Sequence, residues 1–388
     1  MSAGPLTGTT VLDFSTVGPA TRCSRLLADY GARVIKVGAP LRAGATPIVP
    51  PFYAYSGQRG LERAQFDLKS PAGTAAFLQL AAGADVVIES FRPGVVDRLG
   101  IGYDAVRAVN RGIVYCSTNG YGQTGPSARR AGHDINYLAA GGYLHMSERT
   151  AEGRPPLPGA TVGDIAAGGL HAAAAILATL VGRATSGEGA HLDVSVADGV
   201  LWMLSLYIDE YLATGEAPGP GHYILTGRYA CYDVYPTGDG GWLAVGAIEP
   251  VFWANLCRLL GLDRWVDHQT DDGVQDQIRA DLRAALATRG RDEWVELLAD
   301  ADTCVAPVLD IAEVAADAQF AARGAIVEAR PAGGAAPFRQ LAPLLAGAPR
   351  RERCDLPDPA ATETVALLTD AGLPADEIEA LLADGVIA

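Results

Sequence analysis

Thr10-Val11-Leu12-Asp13-Phe14, Val17-Gly18-Pro19 and Val34-Ile35-Lys36-Val37 decide the fold. The first is a short apolar run of β-forming residues, and the second is a turn. Between that turn and the third run, Ala20 to Tyr30 carries Cys23, Leu26, Leu27 and Tyr30 at helical spacing, and Gly31 closes the helix. Strand, helix, strand over residues 10–37 is a βαβ unit, which implies two parallel strands. No GxGxxG opens the helix, so a dinucleotide pocket is not indicated.

The alternation continues outward. Ser70 and Pro71 cap a helix over Ala72–Ala82, and Ala84 to Glu89 reads as a buried strand. Phe91-Arg92-Pro93-Gly94 then turns into a short helix reaching Gly100, and Gly112 to Ser117 is another β-prone run. Such alternation to about residue 120 predicts an α/β fold with a Rossmann-like, doubly wound parallel sheet. Further on, Asp164–Arg183 reads as a long Ala-rich helix, His191–Ser195 as a strand and Ala197–Thr214 as a second helix. The segment Ile135–Met146 is apolar and reads as one helix. Residues 40–60 are rich in proline and glycine and read as a loop over a site.

Four segments follow from this pattern. Residues 1–214 form the N-terminal part of a large domain, and the Gly- and Pro-rich stretch 215–228 is a linker. Residues 229–325 form a smaller α/β domain, with strands at 229–235 and 242–247 and helices at 251–260, 276–288 and 292–299. Residues 326–388 return to the large domain, with short helices at 362–368 and 375–382.

A chain of 388 residues buries a sizeable core and exceeds one typical domain. Its formal charge of −15 argues against nucleic acid and anionic membranes as partners. Lysine occurs only at 36 and 69, so 28 of the 30 basic residues are arginines, and a polyanionic ligand would need a local arginine cluster. Six cysteines without a CxxC pair read as reduced thiols of a cytoplasmic protein. The most apolar stretch, Ala172–Val181, is about half the length of a membrane span.

Chemistry concentrates where polar groups meet helix starts. Ala131-Gly132-His133-Asp134-Ile135-Asn136-Tyr137 follows a strand and a loop, Tyr121–Arg130, and opens a helix. Val162-Gly163-Asp164-Ile165 and Ala247-Ile248-Glu249-Pro250 repeat the arrangement with one carboxylate each. Each also has a plain structural role. Asp164 and Asp134 suit helix N-caps, Glu249 before Pro250 suits a helix start, and a lone His133 suits a satisfied structural histidine.

Taken in order, several stretches resemble the family III CoA-transferases (the CaiB/BaiF type), over nearly the whole chain. They include Asp67-Leu68-Lys69, Phe91-Arg92-Pro93-Gly94, Gly120-Tyr121-Gly122-Gln123-Thr124-Gly125-Pro126, Val162-Gly163-Asp164 and Ser186-Gly187-Glu188-Gly189. The segments around His133 and Glu249 are similar to the α-methylacyl-CoA racemase branch. At the place of the transferases' glycine-rich shielding loop the chain reads Thr226-Gly227-Arg228-Tyr229-Ala230, without a glycine run.

The resemblance implies a racemase that inverts the 2-carbon of 2-methylacyl-CoA through an enolate. His133 and Asp164 would be its acid/base pair, and Glu249 would hydrogen-bond His133. Lys69, Arg92 and Arg98 would contact CoA, Val17 and Gly18 would pass its pantetheine or acyl portion, and Phe91 would touch the CoA. Arg59-Gly60-Leu61-Glu62 replaces a more basic run of the family. No metal or organic cofactor is implied, coenzyme A being part of the substrate. The resemblance further implies an interlocked homodimer in which Glu249 meets His133 across the subunit boundary. Two other activities fit the same residues: a CoA-transferase with Asp164 as covalent nucleophile, and a non-catalytic acyl-CoA-binding protein.

Overall fold

The computed structural model describes residues 4–40, 59–334, 336–358 and 361–388, so most of the loop expected over 40–60 lies outside the described residues. Six strands form one sheet: β1 (Thr10–Asp13), β2 (Arg33–Gly38), β3 (Glu62–Gln65), β4 (Val86–Glu89), β5 (Val114–Asn119) and β6 (Ala190–Ser195). Their order is β3-β2-β1-β4-β5-β6, and every pairing is parallel. This is the doubly wound order, with its switch point between β1 and β4.

Both faces of the sheet are covered, which is why its strands are apolar on successive residues. Val11, Val34, Ile88 and Val114 pack with Cys23, Leu27 and Ile176 on one face. Leu12, Ile35, Val87 and Tyr115 pack with Phe77, Ile101, Leu367 and Ile387 on the other. The edge strand β3 reads Glu-Arg-Ala-Gln, and only its Ala64 is fully buried. That polar sequence hides it from a hydrophobicity reading.

Helices start near the positions expected. Gly18–Asp29 has Pro19 in its first turn, and Ser70 Oγ accepts the Gly73 N–H at 3.4 Å ahead of Pro71–Ala81. Two helices expected to be continuous are not. The segment after His133 divides into Asp134–Ala140 and Tyr143–Met146. Gly142 between them sits at φ +89°, and a Cβ on Gly141 would come 2.4 Å from Val200 Cγ1. The helix expected over 197–214 divides into Val196–Met203 and Ser205–Thr214.

The Ala-rich helix opens with π-helical turns, Gly163–Leu170, before the α-helix His171–Ser186. Together they form 24 residues with a mean hydropathy of 1.8 over the most apolar window, which is long and apolar enough to cross a membrane. This corrects the shorter span read from Ala172–Val181. Within the chain the helix contributes Ala172, Ala173 and Ile176 to the core.

The chain forms two compact units, residues 1–142, 158–205 and 318–388 in one and 143–157 and 206–317 in the other. The boundaries differ from those read in the sequence: 143–157 and 206–228 belong with the second unit, and the return begins at 318. The first unit also holds a small sheet in the order β11-β10-β12, from β10 (Ile326–Pro331), β11 (Phe338–Leu341) and β12 (Arg353–Leu356). In the second unit β7 (Tyr232–Pro236), β8 (Trp242–Gly246) and β9 (Val305–Pro307) form an antiparallel sheet. It packs on a core with Trp253, Leu256, Ile278, Leu282 and Trp294.

Candidate active site

The carboxyl ends of β1, β4 and β5 open into a cavity of about 450 Å³. Val17 and Gly18 follow β1, Phe91 and Arg92 follow β4, and Asn119 ends β5, so the cavity lies at the switch point, where ligands of such sheets bind. His133 and Asp164 both line it. Six of the nine residues singled out in the sequence therefore share one space.

His133 precedes the helix Asp134–Ala140, and its backbone N–H donates to Asn136 Oδ1 at 3.0 Å. Its ring is left exposed. The turn before it is pinned by Tyr137, whose hydroxyl donates to the Gly132 carbonyl at 2.5 Å. Tyr121 meets Tyr137 edge-on, with ring centroids 5.1 Å apart.

Asp164 lies in the first π-turn of its helix and is half-buried. Its backbone N–H donates to Asp134 Oδ1 at 2.7 Å. Asp134, read from sequence as a cap for its own helix, thus caps the helix of its neighbour. Burial first, and then the Asp134 charge, push the Asp164 carboxyl up to about 6, while Arg22 and His133 pull it down. A carboxyl so placed changes protonation near neutral pH, as an acid/base group must.

Glycines bring this helix close to the helix after β1. A Cβ on Gly168 would lie 2.4 Å from Pro19 Cβ, and one on Gly169 would lie 2.6 Å from Arg22 Cβ. Gly168 and Gly169 therefore let Asp164 and the Val17–Pro19 turn border one cavity.

The remaining residues lie elsewhere. Lys69 and Arg98 line a second cavity of about 670 Å³, beside Ser70, Thr74 and Asp97. Lys69, Arg92 and Arg98 are exposed, and among the described residues none is in an ion pair. Lys36, the other lysine, is held by the buried carboxylate of Asp13 at 2.6 Å. Arg59 pairs with Asp29 at 3.2 Å and Glu62 with Arg33 at 2.8 Å, so both are engaged within the fold. Glu249 is exposed at the N-terminus of Pro250–Leu259 in the second unit and is not among the residues lining the first cavity.

Two residues not singled out in the sequence belong to this region. Arg130 lines the cavity. Glu89, 2% exposed at the end of β4, accepts the Phe91 N–H at 2.7 Å and so holds the turn that carries Phe91 and Arg92. Burial raises the Glu89 carboxyl to about 7, against the hydrogen bonds from Ser117 and the Phe91 N–H.

Similarity to known proteins extends over most of the chain. The chain is 35% identical to human α-methylacyl-CoA racemase (Homo sapiens) over 311 residues, which cover 80% of this chain and 79% of that protein. It is 32% identical to the acetyl-CoA:oxalate CoA-transferase of Acetobacter aceti, over 84% of this chain and 86% of that one. The crystal structure of a CaiB/BaiF family protein from Brucella suis superposes with a TM-score of 0.77 at 28% identity, covering 95% of this chain and 100% of that one. The model of CoA-transferase family III spans residues 6–363, taking in the six-stranded sheet, both cavities and Glu249, and the chain belongs to that family.

Proposed function

We propose that this chain is an α-methylacyl-CoA racemase, which inverts the 2-carbon of 2-methyl-branched acyl-CoA thioesters by 1,1-proton transfer. The observation that carries the reading is the shared cavity. His133 and Asp164 come from different elements and face one space at the carboxyl ends of the parallel strands. One removes the α-proton from one face of the carbon, and the other returns a proton to the opposite face. The enolate between the two steps is stabilised by hydrogen-bond donors in the same space. Lys69, Arg92 and Arg98 bind the CoA phosphates, Val17 and Gly18 pass the pantetheine, and Phe91 touches the CoA. The similarity to human α-methylacyl-CoA racemase supports this assignment.

Glu249 orients His133 from a second copy of the chain in an interlocked homodimer. Its carboxylate is exposed and without an ion-pair partner among the described residues. Val181 and Trp202, 74% and 79% exposed, offer apolar surface for that copy to cover. The six free thiols suit a cytoplasmic protein.

The similarity to the Acetobacter transferase supports a second reading. Here the Asp164 carboxylate attacks the thioester carbonyl, CoA leaves as the thiolate, and an acyl anhydride forms. Proton NMR of a 2-methylacyl-CoA incubated with the protein in deuterated water separates the two. Loss of the α-proton signal with a racemic product, and no acceptor acid present, supports the racemase. Absence of exchange, with thioester transfer once a free carboxylic acid is added, supports the transferase.

A further inference from the structure

The turn ahead of His133 carries two adjacent arginines, Arg129 and Arg130, and Arg130 lines the cavity shared by His133 and Asp164. Its backbone is fixed by a bond from its N–H to the Ser127 carbonyl at 2.9 Å. Its guanidinium is exposed and, among the described residues, forms no ion pair. The chain carries a formal charge of −15, yet two arginines and one carboxylate line this cavity, Arg92 and Arg130 against Asp164. A wall with that charge balance is suited to an anion.

In the reading above, the CoA phosphates already have Lys69, Arg92 and Arg98, two of which line the other cavity. The thioester carbon must sit at His133. Arg130 stands three residues before His133 and lines the same cavity, so its fork is available to a group carried on the acyl part of a thioester held there. A planar guanidinium binds a carboxylate through two parallel hydrogen bonds, which a neutral alkyl chain cannot supply.

We propose that Arg130 selects acyl-CoA thioesters whose 2-methyl acyl chain ends in a carboxylate, that is, monothioesters of short branched dicarboxylic acids. The proposal rests on the racemase reading for its reaction, while the anion site itself is read by binding.

The test measures calorimetric dissociation constants and α-proton exchange for 2-methylsuccinyl-CoA and neutral 2-methylbutyryl-CoA, with the unaltered protein, Arg130→Leu and Arg130→Lys. The expected result is tighter binding of the carboxylated thioester by the unaltered protein. Arg130→Leu weakens that binding by about 10- to 100-fold and leaves the neutral thioester within about threefold. Arg130→Lys, which keeps the charge but loses the fork, lies between. An equal loss for both thioesters would place Arg130 on the CoA phosphates and overturn the proposal, as would no change for either. If the binding contrast holds while neither thioester exchanges its α-proton, the anion site stands and the racemase reading falls.

Discussion

Asp134 Oδ1 accepts the backbone N–H of Asp164 at 2.7 Å, joining two turns that lie 30 residues apart in sequence. Two carboxylates are thereby held together at the edge of one cavity, and the charge on Asp134 helps to keep the proton on Asp164. Asp134→Asn retains an acceptor but removes the charge, so the acid limb of the pH–rate profile moves to lower pH. Asp134→Ala also removes the acceptor and costs about 1–3 kcal/mol of stability in denaturant unfolding. An unmoved acid limb in Asp134→Asn would show that Asp164 does not govern that limb.

His133→Ala is expected to lower α-proton exchange by about a hundred- to ten-thousand-fold, the usual contribution of a positioned acid/base group. Acyl transfer through Asp164 would not be stopped by that change alone. Comparing the two assays on one variant therefore tells the two activities apart.

Gly168→Ala places a Cβ 2.4 Å from Pro19 Cβ and 3.0 Å from Val196 Cγ2, so packed neighbours must shift. Overpacking of this kind costs about 1–3 kcal/mol, to be read as a lower denaturation midpoint. Exchange activity should fall beyond what the lost folded fraction explains, because the displaced turn carries Val17 and Gly18. Unchanged activity per folded molecule would separate the helix contact from the site.

Glu89 gives a stability prediction. Its carboxyl is raised from 4.5 to about 7 in the folded protein, so the folded state binds the proton more tightly than the unfolded chain. The resulting stabilisation is complete below about pH 4.5 and is lost as pH rises through about 7. Glu89→Gln keeps an acceptor for the Phe91 N–H and does not titrate. Against the unaltered protein it should gain up to about 3 kcal/mol between pH 5 and 8, measured by urea unfolding. Parallel stability curves for the two proteins would contradict this.

The sheet was legible because buried parallel strands must be apolar on both faces, as Val11-Leu12, Val34-Ile35 and Val86-Val87-Ile88 are. β3 was not, since Glu62-Arg63-Ala64-Gln65 buries only one side chain fully. His133 and Asp164 stood out through the family-like stretches that contain them, Ala131–Tyr137 and Val162–Asp164, since each alone suits a structural role at a helix start. Asp134 was misassigned, because its partner is an amide that no local pattern connects to it. Lys69 and Arg98 share a cavity, yet it is not the cavity of Arg92, although Arg92 and Arg98 are neighbours in sequence. The Gly94 bend and the short helix Val95–Arg98 that follows it decide which space each one lines. Arg130 carried one signal, a pair of arginines immediately ahead of Ala131-Gly132-His133, in a chain with few cations.

The two faces of the sheet are completed at different times during synthesis. Every buried residue on the Val11 face lies before residue 195, so a ribosome has made that layer halfway through the chain. The Leu12 face also requires Leu367, Leu368, Ile378 and Ile387. Until those residues emerge, Phe66, Phe77 and Ile35 lack part of their cover, and a nascent chain carries all six strands with one face incompletely covered. Such an intermediate is a natural client for a holding chaperone, and C-terminal truncation should lower soluble yield before it alters the cavity.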